Sequence, residues 1–203
     1  MKEKFENFWY YNKRIVLFAL FFAFVIITST VQCVRTPKSD LSVLCVYTGY
    51  NDFSAFESKA AETVGDINGD GKAIVTCENL YLTGEPGSPN DTIAMQKIPI
   101  SFAAGENRLY IMDKEFFESE TYGDGFEDLK TLLPAEALED GAVYDGKTVA
   151  VPAENCPYLK DTGIKCDNLF VGIPCETEAL KKQKNAEASS EASKRLICEL
   201  VKP

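Results

Sequence analysis

The chain has no histidine. That removes the commonest general base and excludes Ser/His/Asp and Cys/His nucleophile arrangements. A zinc site among its seven cysteines would have to be all thiolate and carboxylate, with no C-x-x-C pair to start it. No G-x-S-x-G motif, no glycine-rich phosphate loop and no repeat of solenoid period occurs. The carboxylates are numerous but scattered along the chain. We therefore expect a protein that is not an enzyme; the remaining catalytic reading, a carboxylate-based hydrolase, would require an acidic cluster in one deep pocket.

Positive charge is scarce beyond the first fourteen residues, where 17 basic groups face 29 acidic ones, a net charge of −12. Nucleic acid and anionic lipid surfaces are thereby disfavoured as partners. Such an acidic surface also serves simply to keep an exported protein soluble.

Against these absences stands one long apolar run, Ile15 to Val31, which carries no charge. It is long enough to cross most of a bilayer core as a helix. Lys2, Lys4, Lys13 and Arg14 precede it, and Phe8, Trp9, Tyr10 and Tyr11 suit the headgroup level. The reading is an uncleaved, single-pass anchor over 15–33, with the flank 1–14 cytoplasmic and the rest extracellular. A cleaved signal is the rival. No small-x-small pair closes the run, and Gln32 stands where a lipoprotein site before Cys33 needs a small residue.

A linker over 34–40, with Pro37, leads to about 170 residues, enough for one domain with a real core. Six cysteines, Cys45, Cys77, Cys156, Cys166, Cys175 and Cys198, fall beyond the membrane. Cys45 and Cys77 lie in apolar strand patterns and read as core residues. Cys156, Cys166 and Cys175 lie in loop-like sequence, which makes 156 to 166 or 166 to 175 candidate disulfides.

The domain is expected over 41–175, followed by a C-terminal helix over 176–203. Leu41 to Tyr47 is nearly all apolar, as in a strand covered on both faces. Phe53, Phe56, Ala60 and Val64 come next at helical spacing, then strands over Ala73 to Leu82 and Arg108 to Met112. Between those strands Gly84 to Asn90 reads as a loop, and a helix capped by Asp91 or Thr92 is expected to run to about Ala104, although Pro99 should end or kink it at the preceding residue. The alternation predicts βαβ units, hence an α/β fold with a mostly parallel sheet and flanking helices. KTVAVPA and NLFVGIP read as two more strands, with short helical turns between Thr121 and Ala142. In the last helix Leu196, Ile197, Leu200 and Val201 share one face, whereas Lys181 to Ser193 offers little to bury.

Two sets of residues are candidate sites. In a parallel sheet ligands sit beyond the carboxyl ends of the strands, which selects Tyr50, Asn51, Asp52 and Asp113; single Asn and Asp residues there also serve as helix N-caps. The second set is Asp66-Ile67-Asn68-Gly69-Asp70-Gly71, which matches the first half of a calcium loop. Asp66, Asn68 and Asp70 would give side-chain oxygens and Lys72 a backbone carbonyl. The twelfth position, where a bidentate carboxylate belongs, is Cys77. The motif therefore reads first as an Asx/Gly turn, with at most weak calcium affinity.

The turn TGYND after the first strand, RLYIMDKEFF followed by DLKTLLP, and YDGKTVAVP together resemble the first lobe of extracellular solute-binding proteins that capture sugars and oligopeptides for import. The resemblance covers residues 41 to 153 and implies a lobe-like α/β domain that binds solute at its strand ends. The segment beyond residue 153 is too short to build the second lobe of such proteins. The start MKEKFENFWYYNKR before the apolar run, with the later DINGDGK, is also similar to uncharacterised single-span surface proteins of Gram-positive bacteria. The functional expectation is a membrane-anchored binding module for a small solute or a partner protein, with an assembly component of a cell-envelope complex as the alternative.

Overall fold

The structure, a computed structural model, describes residues 2–35, 38–85 and 87–202, with side chains from residue 9 to 30 in the first stretch. The chain divides into two units, Met1–Pro37 and Lys38–Pro203. The first is one helix, α1 (Lys2–Arg35), within which Trp9–Thr30 is long and apolar enough to cross a membrane, a property that an anchor shares with a signal sequence. Among the described residues of this unit no second element covers Phe18, Phe21 or Phe24. The expected linker over 34–40 falls partly on residues 36 and 37, which lie outside the described residues.

The second unit is an α/β domain built on six strands in the order β2-β1-β3-β6-β5-β4. They are β1 (Leu41–Thr48), β2 (Val75–Leu82), β3 (Leu109–Asp113), β4 (Ala142–Tyr144), β5 (Lys147–Pro152) and β6 (Leu169–Gly172). The helices are α2 (Ser54–Val64), α3 (Pro89–Ala104), α4 (Lys114–Glu118), α5 (Pro157–Asp161), α6 (Glu178–Lys181) and α7 (Ala186–Leu200). β1 explains the arrangement. Its side chains alternate between two buried layers, with Val43, Cys45 and Tyr47 in one and Leu44 and Val46 in the other. The first layer is closed by Phe56 and Ala60 of α2 and by Leu196, Ile197 and Leu200 of α7. Ala94 and Ile98 of α3, with Phe117 of α4, close the second. A strand apolar on both faces is what a sheet sandwiched between helices demands, and each large side chain so buried contributes about 1.5–3 kcal/mol.

The α/β class stands, but the sheet is mixed and not mostly parallel. β1 runs parallel to β2 and β3, whereas the pairings β3–β6, β5–β6 and β4–β5 are antiparallel. By these pairings β1, β2, β3 and β5 share one direction, and β6 is inserted against it between β3 and β5. A parallel β6 would require the chain to travel back along the sheet after β5. The connection instead holds α5, only five residues long, and re-enters the sheet at the end where β5 left it. A helix of that length rises only about 7.5 Å. β4 was not foreseen; it turns into β5 through Asp145 (φ 47°) and Gly146 (φ 75°), the paired positive φ angles of a type I′ hairpin.

α3 reaches Ala104 as expected and does not end at Pro99, because Pro99 and Met95, whose carbonyl loses its helical donor, both lie on the exposed face where water can solvate that carbonyl. The stretch Lys181 to Ser193 buries more than expected: Ser189, Ser190, Ala192 and Ser193 are all buried. Small side chains let the first turns of α7 approach the domain closely, and the Ser193 hydroxyl is satisfied by donating to the Ser190 carbonyl at 2.8 Å.

The six cysteines of this domain are free thiols, so neither of the expected bridges among Cys156, Cys166 and Cys175 is formed. The Cys156 thiol donates to the Pro152 carbonyl and the Cys166 thiol to the Ile164 carbonyl. Both belong to the core layer that also holds Cys45 and Cys77.

Candidate functional site

Tyr50, Asn51 and Asp52 come directly after β1 as expected, and at that end of the sheet Tyr47, Gly49, Tyr50, Asn51, Lys165 and Asp167 line a recess of about 110 Å³. The polar side chains of this turn are spent on structure. The Asn51 side chain donates to the Lys165 carbonyl at 3.2 Å and accepts from the Lys165 amide at 2.8 Å. Asp52 accepts from the Ser54 hydroxyl at 2.6 Å and from the Ser54 amide at 2.9 Å at the start of α2, and these bonds hold its carboxyl below the usual range. Tyr50 is 78% exposed. Asp113, at the end of β3, does not line this recess. Burial pushes its carboxyl up, with Glu115 adding to the rise and a hydrogen bond from the Thr48 hydroxyl opposing it.

The turn from Asp66 to Lys72 is closed by its own backbone. Asp66 accepts from the amides of Gly69 (2.7 Å) and Gly71 (2.8 Å), and Asn68 from that of Asp70 (2.9 Å). Asp70 accepts from Lys72 (3.0 Å) and Lys38 (3.1 Å). Gly69 and Gly71 hold positive φ, which the sharp reversals require. Among the described residues no three acidic or thiol side chains converge as a metal-binding group.

The residue that organises this region is Asp40, which sequence reasoning passed over. It is buried, and its carboxylate accepts from the amides of Ile67 (2.8 Å), Asn68 (2.9 Å) and Ile74 (2.9 Å). The available signal was its place, a lone acidic residue immediately before an apolar strand.

Asp40 borders a cavity of about 320 Å³ at the amino ends of β1 and β3. This is the opposite end of these strands from the expected site. β1 contributes Leu41 and Ser42, the approach to β3 contributes Glu106 and Arg108, and the α6–α7 connection contributes Gln183, Lys184 and Asn185. Arg108 is 4% exposed. Its Nη2 donates to the Leu180 carbonyl at 2.9 Å, its Nε finds no acceptor among the described residues, and no carboxylate there lies within ion-pairing distance of it. Burial lowers its pKa from the ordinary arginine value, an effect that Glu176 opposes. A guanidinium nevertheless stays charged in proteins. The neighbouring Asn107 is equally buried, and its Nδ2 is also without a partner among the described residues.

The charges around the cavity are not equivalent. Asp40 is saturated by backbone donors, which leaves Arg108 and Lys184 against Glu106. The amino end of α7 has no side-chain cap, because Asn185 turns its amide to the Ile67 carbonyl at 3.0 Å. Chemically the cavity is a polar recess with a buried positive charge at its wall, and it holds no nucleophile–base pair among the described residues.

No family model matches the chain, and neither a curated protein nor a solved structure matches it.

Proposed function

We propose that the protein is a membrane-anchored extracytoplasmic binding module that holds a small solute in the cavity at the amino ends of β1 and β3. The observation that carries this reading is Arg108. An unpaired buried charge costs several kcal/mol unless something compensates it, and a solute entering the cavity would supply that compensation. Volumes of about 300–1,000 Å³ are usual for small-molecule sites. The apolar span Trp9–Thr30, with Lys13 and Arg14 at its start, supports an anchor whose basic flank stays in the cytoplasm.

A thermal-shift screen of the full chain in lipid nanodiscs, against neutral sugars, amino acids, short peptides and divalent ions, tests the reading. A solute that binds the folded state raises Tm in proportion to the logarithm of its saturation ratio. The expected result is stabilisation by one solute class that is lost in Ser42→Phe, which fills the cavity from β1. Stabilisation that survives Ser42→Phe unchanged would remove the cavity from the reading. For the anchor, a membrane-impermeant thiol reagent should label a cysteine placed at Lys184 in intact cells; labelling only after lysis would reverse the orientation.

A further inference from the structure

Resting on that reading, we infer that the solute is a small polar amino-carboxylate, its carboxylate held by Arg108 and Lys184 and its ammonium by Glu106. The side chains around the cavity are mostly polar: Ser39, Ser42, Asn68, Gln183, Asn185 and Ser189 outnumber Leu41 and Ile67. Ser39, Asn68, Gln183 and Asn185 are already bonded within the fold, and a neutral sugar meeting the rest of this lining would leave Arg108 uncompensated. A carboxylate compensates it, and the planar guanidinium suits a planar oxyanion better than a point charge does. The uncapped amino end of the fifteen-residue α7 adds positive potential on the same side.

Glu106 sets the other half of the selectivity. It is exposed at the cavity edge, and its charge is not matched by any ion pair among the described residues. A dianion such as phosphate would meet this carboxylate as a like charge, which disfavours it. An ammonium on the same molecule as the carboxylate turns that repulsion into an ion pair. Of the charge carriers a cavity with this lining can accept, a zwitterion satisfies both signs at once.

The inference is tested by calorimetric titration of the full chain in nanodiscs with five probes: L-glutamine, L-glutaminamide, which lacks the carboxylate, glutaramate, which lacks the ammonium, inorganic phosphate and glucose. L-Glutamine should bind most tightly, glutaramate about threefold to tenfold more weakly, and L-glutaminamide and phosphate more weakly still, each tenfold step corresponding to one charge-assisted contact. Arg108→Lys keeps the charge but not the fork and should weaken L-glutamine about tenfold. Since Arg108 also holds Leu180, that variant is paired with Glu106→Gln, an exposed change that leaves the fold alone. Glu106→Gln should erase the preference for L-glutamine over glutaramate. L-Glutaminamide or phosphate binding as well as L-glutamine, or a preference unchanged by Glu106→Gln, overturns the inference. Glucose binding that is lost in Ser42→Phe would overturn the amino-carboxylate and keep the cavity as a site; no binding by any probe overturns both.

Discussion

Asn51 and Lys165, 114 residues apart, are joined by a two-way amide pair in which the Asn51 side chain donates to the Lys165 carbonyl and accepts from its amide. The side chain thereby copies one rung of a strand pairing and ties the turn after β1 to the loop before β6. Asn51→Leu leaves both Lys165 groups without that partner, at a cost of about 1–3 kcal/mol. Chemical denaturation should show this loss with an unchanged slope. Binding at the Arg108 cavity should be unaffected, since Asn51 lies at the other end of β1; a variant of wild-type stability would show that the pair is not formed in solution.

Asp113 should make stability pH-dependent in a definite direction. Its carboxyl is raised in the fold, first by burial and then by Glu115. Between the unfolded and folded values the folded state holds the proton more readily, so stability rises as pH falls through the folded value. At neutral pH the half-buried charge is a net cost. Asp113→Asn keeps an acceptor for the Thr48 hydroxyl and should raise Tm at pH 7, with the gain fading as pH approaches about 4. A gain that is constant across this range, or a loss at pH 7, contradicts the assignment.

Thiol reactivity should divide the cysteines of the α/β domain. Burial pushes the Cys156 thiol up to about 12, and burial together with the adjacent Cys77 raises that of Cys45. Neither presents thiolate at pH 8. Half-buried Cys175 and Cys198 should therefore be alkylated first, with Cys45 and Cys156 protected until the domain unfolds. Peptide mass analysis after timed labelling checks this order, and a recovered Cys156–Cys166 bridge would contradict it.

Calcium should stabilise the domain weakly. Four side-chain oxygens of Asp66 and Asp70 already accept backbone amides, so an ion would have to share them, and six to eight oxygens are usual around Ca²⁺. The expected outcome is a Tm rise only at millimolar calcium. Stabilisation at micromolar calcium that disappears in Asp70→Ala would reveal a site completed from elsewhere.

The sequence by itself determined the apolar helix, the α/β class and most of the strands, because these depend on local patterns: an uncharged run, apolar continuity over Leu41 to Tyr47, and helical spacing from Phe53 to Val64. Strand direction at β6 is not local. NLFVGIP reads identically in either direction, and what sets it is the short connection through α5 that keeps the chain at one end of the sheet. The Asp145-Gly146 hairpin is written in a local pair of residues, yet β4 before it is only three residues long and carries little pattern of its own. The consequence of Pro99 depends on whether the Met95 carbonyl faces water, which the residue order does not state. The site was decided by tertiary structure alone. Glu106 and Arg108 are separated from Lys184 by more than seventy residues; Arg108 opens the strand pattern RLYIM, which marks it as the start of a strand and not as a charge at a cavity, and Lys184 stands in no motif. They meet because the return of α7 across the core carries the α6–α7 connection to the amino ends of β1 and β3. There Arg108 is buried at the cavity wall with its Nη2 on the Leu180 carbonyl, a burial that the residue order does not state.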